Sequence, residues 1–459
     1  VVLNDNRMSI APNVGALKNY LAKLRSRPWL QQAAHRAKRV VSHMPDPIAR
    51  VAAGLRHGIT HYLAPEETGT IFEEMGWEYI GPVDGHDLPT LLEVLRNVRE
   101  LEGPVFVHAI TVKGKGYEAS EEDSRKWHGV APFNLESCEM SVGPVAVAYT
   151  QAFGEAAIEC AEADPKVVAI TAAMPDGTGL AKFARLLPDR FFDVGIAEQH
   201  AVTFAAGLAA AGMKPFCTIY STFLQRAFDQ VLHDVCIQNL PVRFFMDRAG
   251  LVGDDGPTHH GAFDISYLTL MPNMALAAPR DTTELREMTR FAASYSAGPL
   301  AIRYPRGASD DRLPELRTPI QLGRAEVLYL SDRPARLALI AIGSMVSVAW
   351  EAAEMLRGKG VETVLVNARW VKPLDSQTIV DAARSCKAVL TLEENVRSGG
   401  FGERVRGALE AAGVATPLRI ISLPDSFVEH GAQPIIRKEC GLDAESVVAE
   451  ALRALPVER

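Results

Sequence analysis

The sequence predicts an α/β protein made of doubly wound, mostly parallel sheets, and three observations carry that expectation. Short runs rich in Val, Ile and Phe recur between longer helical stretches, as in "VVAIT", "FFDVG", "FCTIY" and "VRFFMD". These runs are apolar throughout rather than alternating, the pattern of strands covered on both faces. The alternation stops twice in polar stretches, at 118–143 and 308–322, and restarts after each. With 459 residues and about 150 residues per domain, three units are expected: 1–117, 144–307 and 323–459, with the two polar stretches as linkers.

The first unit opens on "VVL", an apolar run that reads as a buried strand. A long basic stretch follows from Val14 to Val41, then "YIGPVDGHD" as strand and loop, Leu88–Arg99 as a helix and "PVFVHAITV" as a strand. The stretch 14–41 reads either as a solvated helical face or as a membrane-surface helix, and Pro28 interrupts it. The second unit reads as helix 145–163, strands "VVAIT" and "FFDVG", helix 198–211, strand "FCTIY", helix 222–238, strand "VRFFMD" and a last strand in "PLAIRYPRG". The third alternates "RLALIAIG", "VETVLVN", "AVLTLEEN" and "PLRIIS" with helices. Because the chain starts at Val1, inside an apolar strand, it is expected to be a piece of a longer protein.

Composition narrows the function classes. Hydrophobic residues make up 47%, charged residues 23%, and the net charge is −8, the profile of an ordinary globular protein with no overall attraction to nucleic acid or anionic membranes. The six cysteines (138, 160, 217, 236, 386 and 440) lack CxxC spacing, which argues against a zinc site or disulfide framework and fits a reducing, cytoplasmic location. No apolar run is long enough to span a bilayer, and no secretory signal is visible.

The candidate chemistry sits where strands end. In "DVGIAEQHAVTFAAGLAAAG", Glu198 stands at the passage from a strand to an almost wholly apolar helix. A first-turn carboxylate complements the helix dipole; a carboxylate in an apolar wall can instead share a proton with a ligand. "LNDNRMSI" places Asn6 just past a strand, where it serves either an ordinary turn or a hard cation such as Mg²⁺. "TVKGKGYE" sets Lys113 in a flexible loop that suits an anion or an exposed turn, and His128 lies in the polar linker. The loop "DRAGLVGDDGPTHHGAFD" is the densest candidate, carrying Arg248, Asp255, His259 and His260. Tyr220, Phe223 and Arg226 begin a helix, and Arg306 lies in "YPRG". The three arginines suit a shared phosphate, or each its own surface ion pair.

As an ordered set, "LNDNRMSI", "NVGAL", "YIGPVDGHD", "KGKGYE", "DVGIAEQHAVTFAAGLA", "YSTFLQRAFDQ", "DRAGLVGDDGPTHHGAFD", "YPRG", "EENVRSGGFG" and "LPDSFVEHG" resemble the 1-deoxy-D-xylulose-5-phosphate synthase family, thiamine-diphosphate enzymes of the transketolase-like group. The resemblance covers essentially the whole chain. It implies three doubly wound α/β domains of transketolase-like type, the first incomplete at its N-terminus: one for the cofactor's diphosphate, one for its aminopyrimidine, and a smaller C-terminal one that mainly supports a homodimer. It implies that Glu198 bonds to the aminopyrimidine ring nitrogen, that Asn6 and the Met8 carbonyl are ligands of Mg²⁺, that Lys113 lies near the diphosphate, and that Ile196 and Phe223 lie against the cofactor rings. His128, Tyr220, Asp255 and His259 would carry or orient protons, with Tyr220 and Asp255 also at the substrate. Arg226, Arg248 and Arg306 would hold the phosphate of D-glyceraldehyde 3-phosphate, which condenses with pyruvate-derived carbon.

One departure stands out. The family's "GDG" magnesium aspartate and an upstream histidine would both precede Val1, and "GDDG" at 253–256 falls in the substrate loop instead. These residues alone are therefore expected to be inactive unless the preceding segment is supplied. Two other readings stay open: a 2-oxoacid dehydrogenase component that passes its two-carbon unit to a lipoyl arm, and an inactive or regulatory relative. The first leaves "LNDNRMSI" and "KGKGYE" unexplained, and the second leaves the retained acid, histidine and arginines without a chemical need.

Overall fold

The computed structural model describes residues 1–6, 72–73, 75–123, 127, 130, 133–135, 137–138, 147–309, 312–316, 318–329 and 333–456. Met8, the basic stretch 14–41 and His128 lie outside them. The chain divides into two compact units, 1–141 and 142–459.

In the first unit, strands β1 (Val2–Asp5), β2 (Glu78–Asp84) and β3 (Val105–Ile110) form a parallel sheet in the order β1-β3-β2 among the described residues. The central β3 is buried, as its apolar run predicts. Val1 and Val2 depart from the sequence expectation, being 68% and 55% exposed, with β1 at the edge of the sheet among the described residues. Helix α1 (Leu88–Val98) starts where Asp87 accepts from the Thr90 N–H and Pro89 occupies the first turn, both ordinary helix-start chemistry. A polar line through buried His108 spans the sheet: Tyr79 Oη meets His108 Nδ1 at 2.8 Å, and His108 Nε2 meets Oδ2 of the partly exposed Asp5 at 3.0 Å.

The second unit holds two sheets. The larger contains β4 (Val167–Thr171), β5 (Phe191–Asp193), β6 (Lys214–Tyr220), β7 (Arg243–Asp247), β8 (Ala275–Ala277), β9 (Leu300–Arg303) and β13 (Trp370–Lys372), in the order β13-β8-β9-β7-β6-β4-β5. All neighbours are parallel except β13 with β8. Side chains of adjacent residues point to opposite faces of a strand. Phe216 and Phe245 accordingly pack on one face, with Phe153 and Ala157 of α2 (Tyr149–Ala163) and Leu285 and Met288 of α4 (Thr282–Ser294). Cys217, Phe244 and Met246 pack on the other, with Ala201, Val202 and Ala205 of α3 (Glu198–Ala210). That two-sided burial is what the unbroken apolar runs required.

The smaller sheet contains β10 (Glu326–Tyr329), β11 (Leu337–Ala341), β12 (Thr363–Asn367), β14 (Ala388–Val396) and β15 (Leu418–Leu423), in the order β10-β12-β11-β14-β15 with only β10 antiparallel among the described residues. The short strands β8, β10 and β13 carry no distinct sequence signal. The expected helix 222–238 is also broken. It runs as a helical turn at Ser221–Leu224, tightens at Gln225–Ala227 and widens into a π-helical stretch at Val231–Cys236.

A fully buried ion network joins the larger sheet's surroundings to the smaller sheet. Arg369 donates through Nε to Glu284 at 2.6 Å and through Nη1 to Thr318 at 2.8 Å, and its Nη2 lies 3.2 Å from Glu326. Arg280 lies 3.1 Å from Glu326, and its backbone N–H donates to Glu284 at 2.7 Å. Removing one partner from such a network leaves uncompensated buried charge. Arg369→Met is therefore expected to lower stability by about 3–5 kcal/mol, read as a fall in melting temperature. Adding Glu284→Gln and Glu326→Gln should return part of that loss, and a single variant that melts like the wild type would contradict the network's role.

Candidate active site

Strands β4, β6 and β7 are adjacent and parallel, so their carboxyl ends meet at one edge, where open α/β sheets bind ligands. β5 ends in Asp193, whose Oδ1 accepts from the N–H groups of Ala173 at 2.8 Å and Gly195 at 3.0 Å. Gly195 turns the chain with φ +74°, a conformation open to glycine at no steric cost. Ile196 then stands 59% exposed, and Glu198 opens α3 at only 1% exposure, beside buried Ala201 and Val202. Its Oε2 accepts from Arg226 Nη1 at 2.5 Å.

Next along the edge, Tyr220 ends β6 and is buried. Burial pushes its hydroxyl up to about 12, against the opposing charge of Arg248. The Arg248 guanidinium lies 3.9 Å from the centre of the Tyr220 ring, a cation–π distance. Tyr220 stacks on Phe223 at 5.7 Å, and Phe223 meets the edge of His259 at 5.4 Å and the Arg226 guanidinium at 5.9 Å. One continuous surface thus runs from Arg248 through two aromatic rings to His259 and back to Glu198 by way of Arg226.

Arg248 has φ +62° and is held by two acceptors: Nη1 donates to Gly177 O at 2.7 Å and to Asp247 Oδ1 at 2.9 Å. Asp247 is fully buried and also accepts from Thr150 Oγ1 at 2.7 Å. Burial raises its pKa to about 6, with Arg248 opposing. Gly177 is required for space, since a Cβ there would come 1.9 Å from the Tyr220 hydroxyl. Arg306 Nη1 donates to Asp255 Oδ2 at 2.8 Å, with both side chains more than two-fifths exposed. The charges of both bear on the Tyr220 hydroxyl. His259 Nδ1 meets Thr258 Oγ1 at 2.9 Å.

The structure therefore gathers Glu198, Tyr220, Phe223, Arg226, Arg248, Asp255, His259 and Arg306 around one set of strand ends, with Ile196 two residues before Glu198. Each arginine is seated on its own carboxylate: Glu198, Asp247 and Asp255 respectively. Thr150, Gly177 and Asp247 complete the setting without having stood out in sequence. Asp247 had a readable signal, as a carboxylate closing the apolar run "VRFFMD"; Gly177 and Thr150 had none.

The first unit, taken by itself, places Asn6 and Lys113 just beyond the carboxyl ends of the adjacent strands β1 and β3. Thr111 links those ends, donating from Oγ1 to Asn4 Oδ1 at 2.6 Å and from its N–H to Asp5 O at 2.9 Å. Lys113 Nζ is buried and has no hydrogen-bond partner among the described residues. A buried cation without a partner is costly, so this ammonium fits an anion such as a diphosphate. The buried Glu198 carboxylate, with exposed Ile196 two residues before it and Phe223 beside its partner Arg226, fits a flat nitrogen heterocycle that is apolar on its faces and needs an acceptor at its edge.

These features define an enzyme of the transketolase-like class. Residues 145–310 match the transketolase pyrimidine-binding domain, and residues 325–447 match the transketolase C-terminal domain. Residues 1–111 match the 1-deoxy-D-xylulose-5-phosphate synthase domain. The chain is 49% identical to 1-deoxy-D-xylulose-5-phosphate synthase of Thermomicrobium roseum, over 99% of this chain and 71% of that protein. It is 47% identical to the synthase of Aquifex aeolicus, over 99% and 72%. Among solved structures, a split-gene transketolase described as an inactive β4 tetramer aligns with a TM-score of 0.61 at 31% identity, covering 68% of this chain and 100% of the other. The chain belongs to the 1-deoxy-D-xylulose-5-phosphate synthase family.

Asp247 generates a pH prediction. Folding raises its pKa to about 6, so the folded chain holds that proton more tightly than the unfolded chain, where the value is near 3.9. The resulting stability is fully present below the unfolded value and is lost as pH rises through about 6. In urea titrations, wild-type stability relative to Asp247→Asn should fall by about 2 kcal/mol between pH 4 and pH 7. A difference that stays flat over that window would contradict the assignment.

Proposed function

We propose that the protein joins pyruvate-derived carbon to D-glyceraldehyde 3-phosphate, releasing CO₂ and giving 1-deoxy-D-xylulose 5-phosphate, the entry to non-mevalonate isoprenoid precursors. Family membership supports the reaction, and the observation that carries it is the buried Glu198 carboxylate at the strand ends, walled by alanine and valine. Bound thiamine diphosphate supplies the electron sink that makes loss of CO₂ from a 2-oxoacid feasible. Glu198 would hold the aminopyrimidine ring nitrogen, and its apolar surroundings would strengthen a hydrogen bond made there. Ile196 and Phe223 present apolar surface to the cofactor rings. The first unit, by itself, would offer Lys113 to the diphosphate and Asn6, with the Met8 carbonyl that the resemblance implies, to Mg²⁺.

Arg226 and Arg306 are 47% and 43% exposed at their side chains, Arg248 15%. All three are available to a phosphate dianion that competes with their present carboxylates, and bidentate guanidinium contacts favour phosphate. His259, Asp255 and Tyr220 would orient the aldehyde and move its protons, a role that the resemblance also implies for His128. The reading includes a homodimer in the cytoplasm.

The test is CO₂ release from pyruvate by the full-length protein, with the segment that precedes Val1 supplied, in the presence of thiamine diphosphate and Mg²⁺ and with and without D-glyceraldehyde 3-phosphate. Release should depend on the aldehyde, and the product should be 1-deoxy-D-xylulose 5-phosphate by mass. Glu198→Gln should lower kcat by about 10²–10⁴-fold while the cofactor still binds in calorimetry. Release that needs an electron or lipoyl acceptor instead of the aldehyde would overturn the reading in favour of a dehydrogenase component.

A further inference from the structure

The loop from Arg248 to Ala262 carries Asp255 and His259, yet three of its glycines adopt φ between +70° and +99° (Gly250, Gly253 and Gly256). A loop so dependent on glycine has little intrinsic preference for one shape, so its shape must come from its contacts. At the stem, Gly250 and Gly261 exchange backbone hydrogen bonds of 2.9 and 2.8 Å. Beyond the stem, the far side of the loop is held within its own domain, where Thr222 Oγ1 donates to Thr258 O at 3.3 Å, Phe223 meets His259 and Arg306 meets Asp255, whereas the segment Leu251–Gly253 is held from the C-terminal domain. Gln433 Nε2 donates to Leu251 O at 2.6 Å, and the Gly431 N–H donates to Gly253 O at 3.3 Å. The space at Gly250 is closed by Glu394, which a Cβ would meet at 2.8 Å, and that at Gly256 by His430, at 3.0 Å.

Glu394 is itself fixed by Arg437, at 2.7 and 2.8 Å, and by Ser344 at 2.8 Å. From within the loop, His260 is 4% exposed and accepts the Val252 N–H at Nδ1, at 3.0 Å. Its ring lines a small cavity together with Val428 and Phe427 of the C-terminal domain. Three backbone groups at Leu251, Val252 and Gly253 are thus satisfied by Gln433, His260 and Gly431. The catalytic candidates Asp255 and His259 follow that anchored segment two and six residues further on.

We propose that the C-terminal domain positions the substrate loop, with Gln433 and His260 acting as positioning residues for Asp255 and His259. The aldehyde-handling half of the reaction then depends on a domain that contributes none of the candidate site's own residues. This rests on the function proposed above for the loop's acid and histidine. Losing Gln433 leaves the Leu251 carbonyl without its donor, and losing His260 leaves the Val252 N–H without its acceptor, which frees the segment before Asp255. Glutamine at 260 can accept the same N–H through its amide oxygen, so it should rescue what phenylalanine cannot.

The experiment compares wild type, Gln433→Ala, His260→Phe and His260→Gln as full-length protein with cofactor. Amide exchange in peptides covering 250–262 should speed up roughly tenfold or more in Gln433→Ala and His260→Phe, while peptides from β6 and β7 stay protected. In the same two variants kcat/KM for D-glyceraldehyde 3-phosphate should fall about tenfold, with thiamine-diphosphate affinity, KM for pyruvate and melting temperature unchanged. His260→Gln should track the wild type in both readouts. Unchanged exchange at 250–262, or an equal fall in aldehyde efficiency, cofactor affinity and melting temperature, would overturn the proposal. If the wild type shows no aldehyde-dependent CO₂ release, the functional reading fails on its own, and the exchange data still decide whether the anchoring exists.

Discussion

The site rests on a constraint of parallel sheets. Strands that run the same way and are buried on both faces must all finish at the same edge, and the loops that leave them must carry the polar groups the strands exclude. The core of the larger sheet is saturated with Phe, Val, Ile, Met and Ala on both sides. Asp193, Tyr220, Asp247 and Arg303 are the last residues of β5, β6, β7 and β9. Every residue that the second unit contributes to the candidate site follows from, or packs on, one of those ends. If the strands were antiparallel, the same residues would be divided between two opposite edges.

Within that edge, charge is arranged in local pairs. Each candidate phosphate-binding arginine has a carboxylate within 3 Å, and the pairs differ in how deeply they are set. Asp247 and Glu198 are buried, so their partners are held by charge-assisted bonds in a low-dielectric setting. Asp255 is exposed, so its hold on Arg306 is screened and weak. The site thus grades from a rigid end at Arg248 and Tyr220 to a loose end at Arg306 and Asp255. A substrate anion would meet the loose end at the smallest electrostatic cost.

Much of this was legible in the sequence because burial writes itself into composition. The runs "VVAIT", "FCTIY" and "VRFFMD" became β4, β6 and β7 with shifts of a residue or two at most. Glu198 stood out because it interrupts an apolar helix start. What stayed hidden has a different origin. Strands of three residues such as Ala275–Ala277 and Trp370–Lys372 are too short to show a period. Thr150 and Gly177 matter only through space and partners supplied by distant residues. The kink after Leu224 also escaped notice, because "FLQRAFDQVLHDVCIQNL" carries neither proline nor glycine to mark it.

Strand β13 binds the two sheets of the second unit more closely than their sequence ranges suggest. Trp370–Lys372 follows β12 of the smaller sheet but pairs with β8 at the rim of the larger one, with Trp370 fully buried. A protein divided at the 308–322 connection would leave β8 as a bare strand edge, with a tryptophan-sized hollow beside it. Bare edges recruit other chains. The pyrimidine-binding and C-terminal domains are therefore separable as units of description but not as units of solubility: recombining them between relatives would require carrying the borrowed strand along with the sheet it completes.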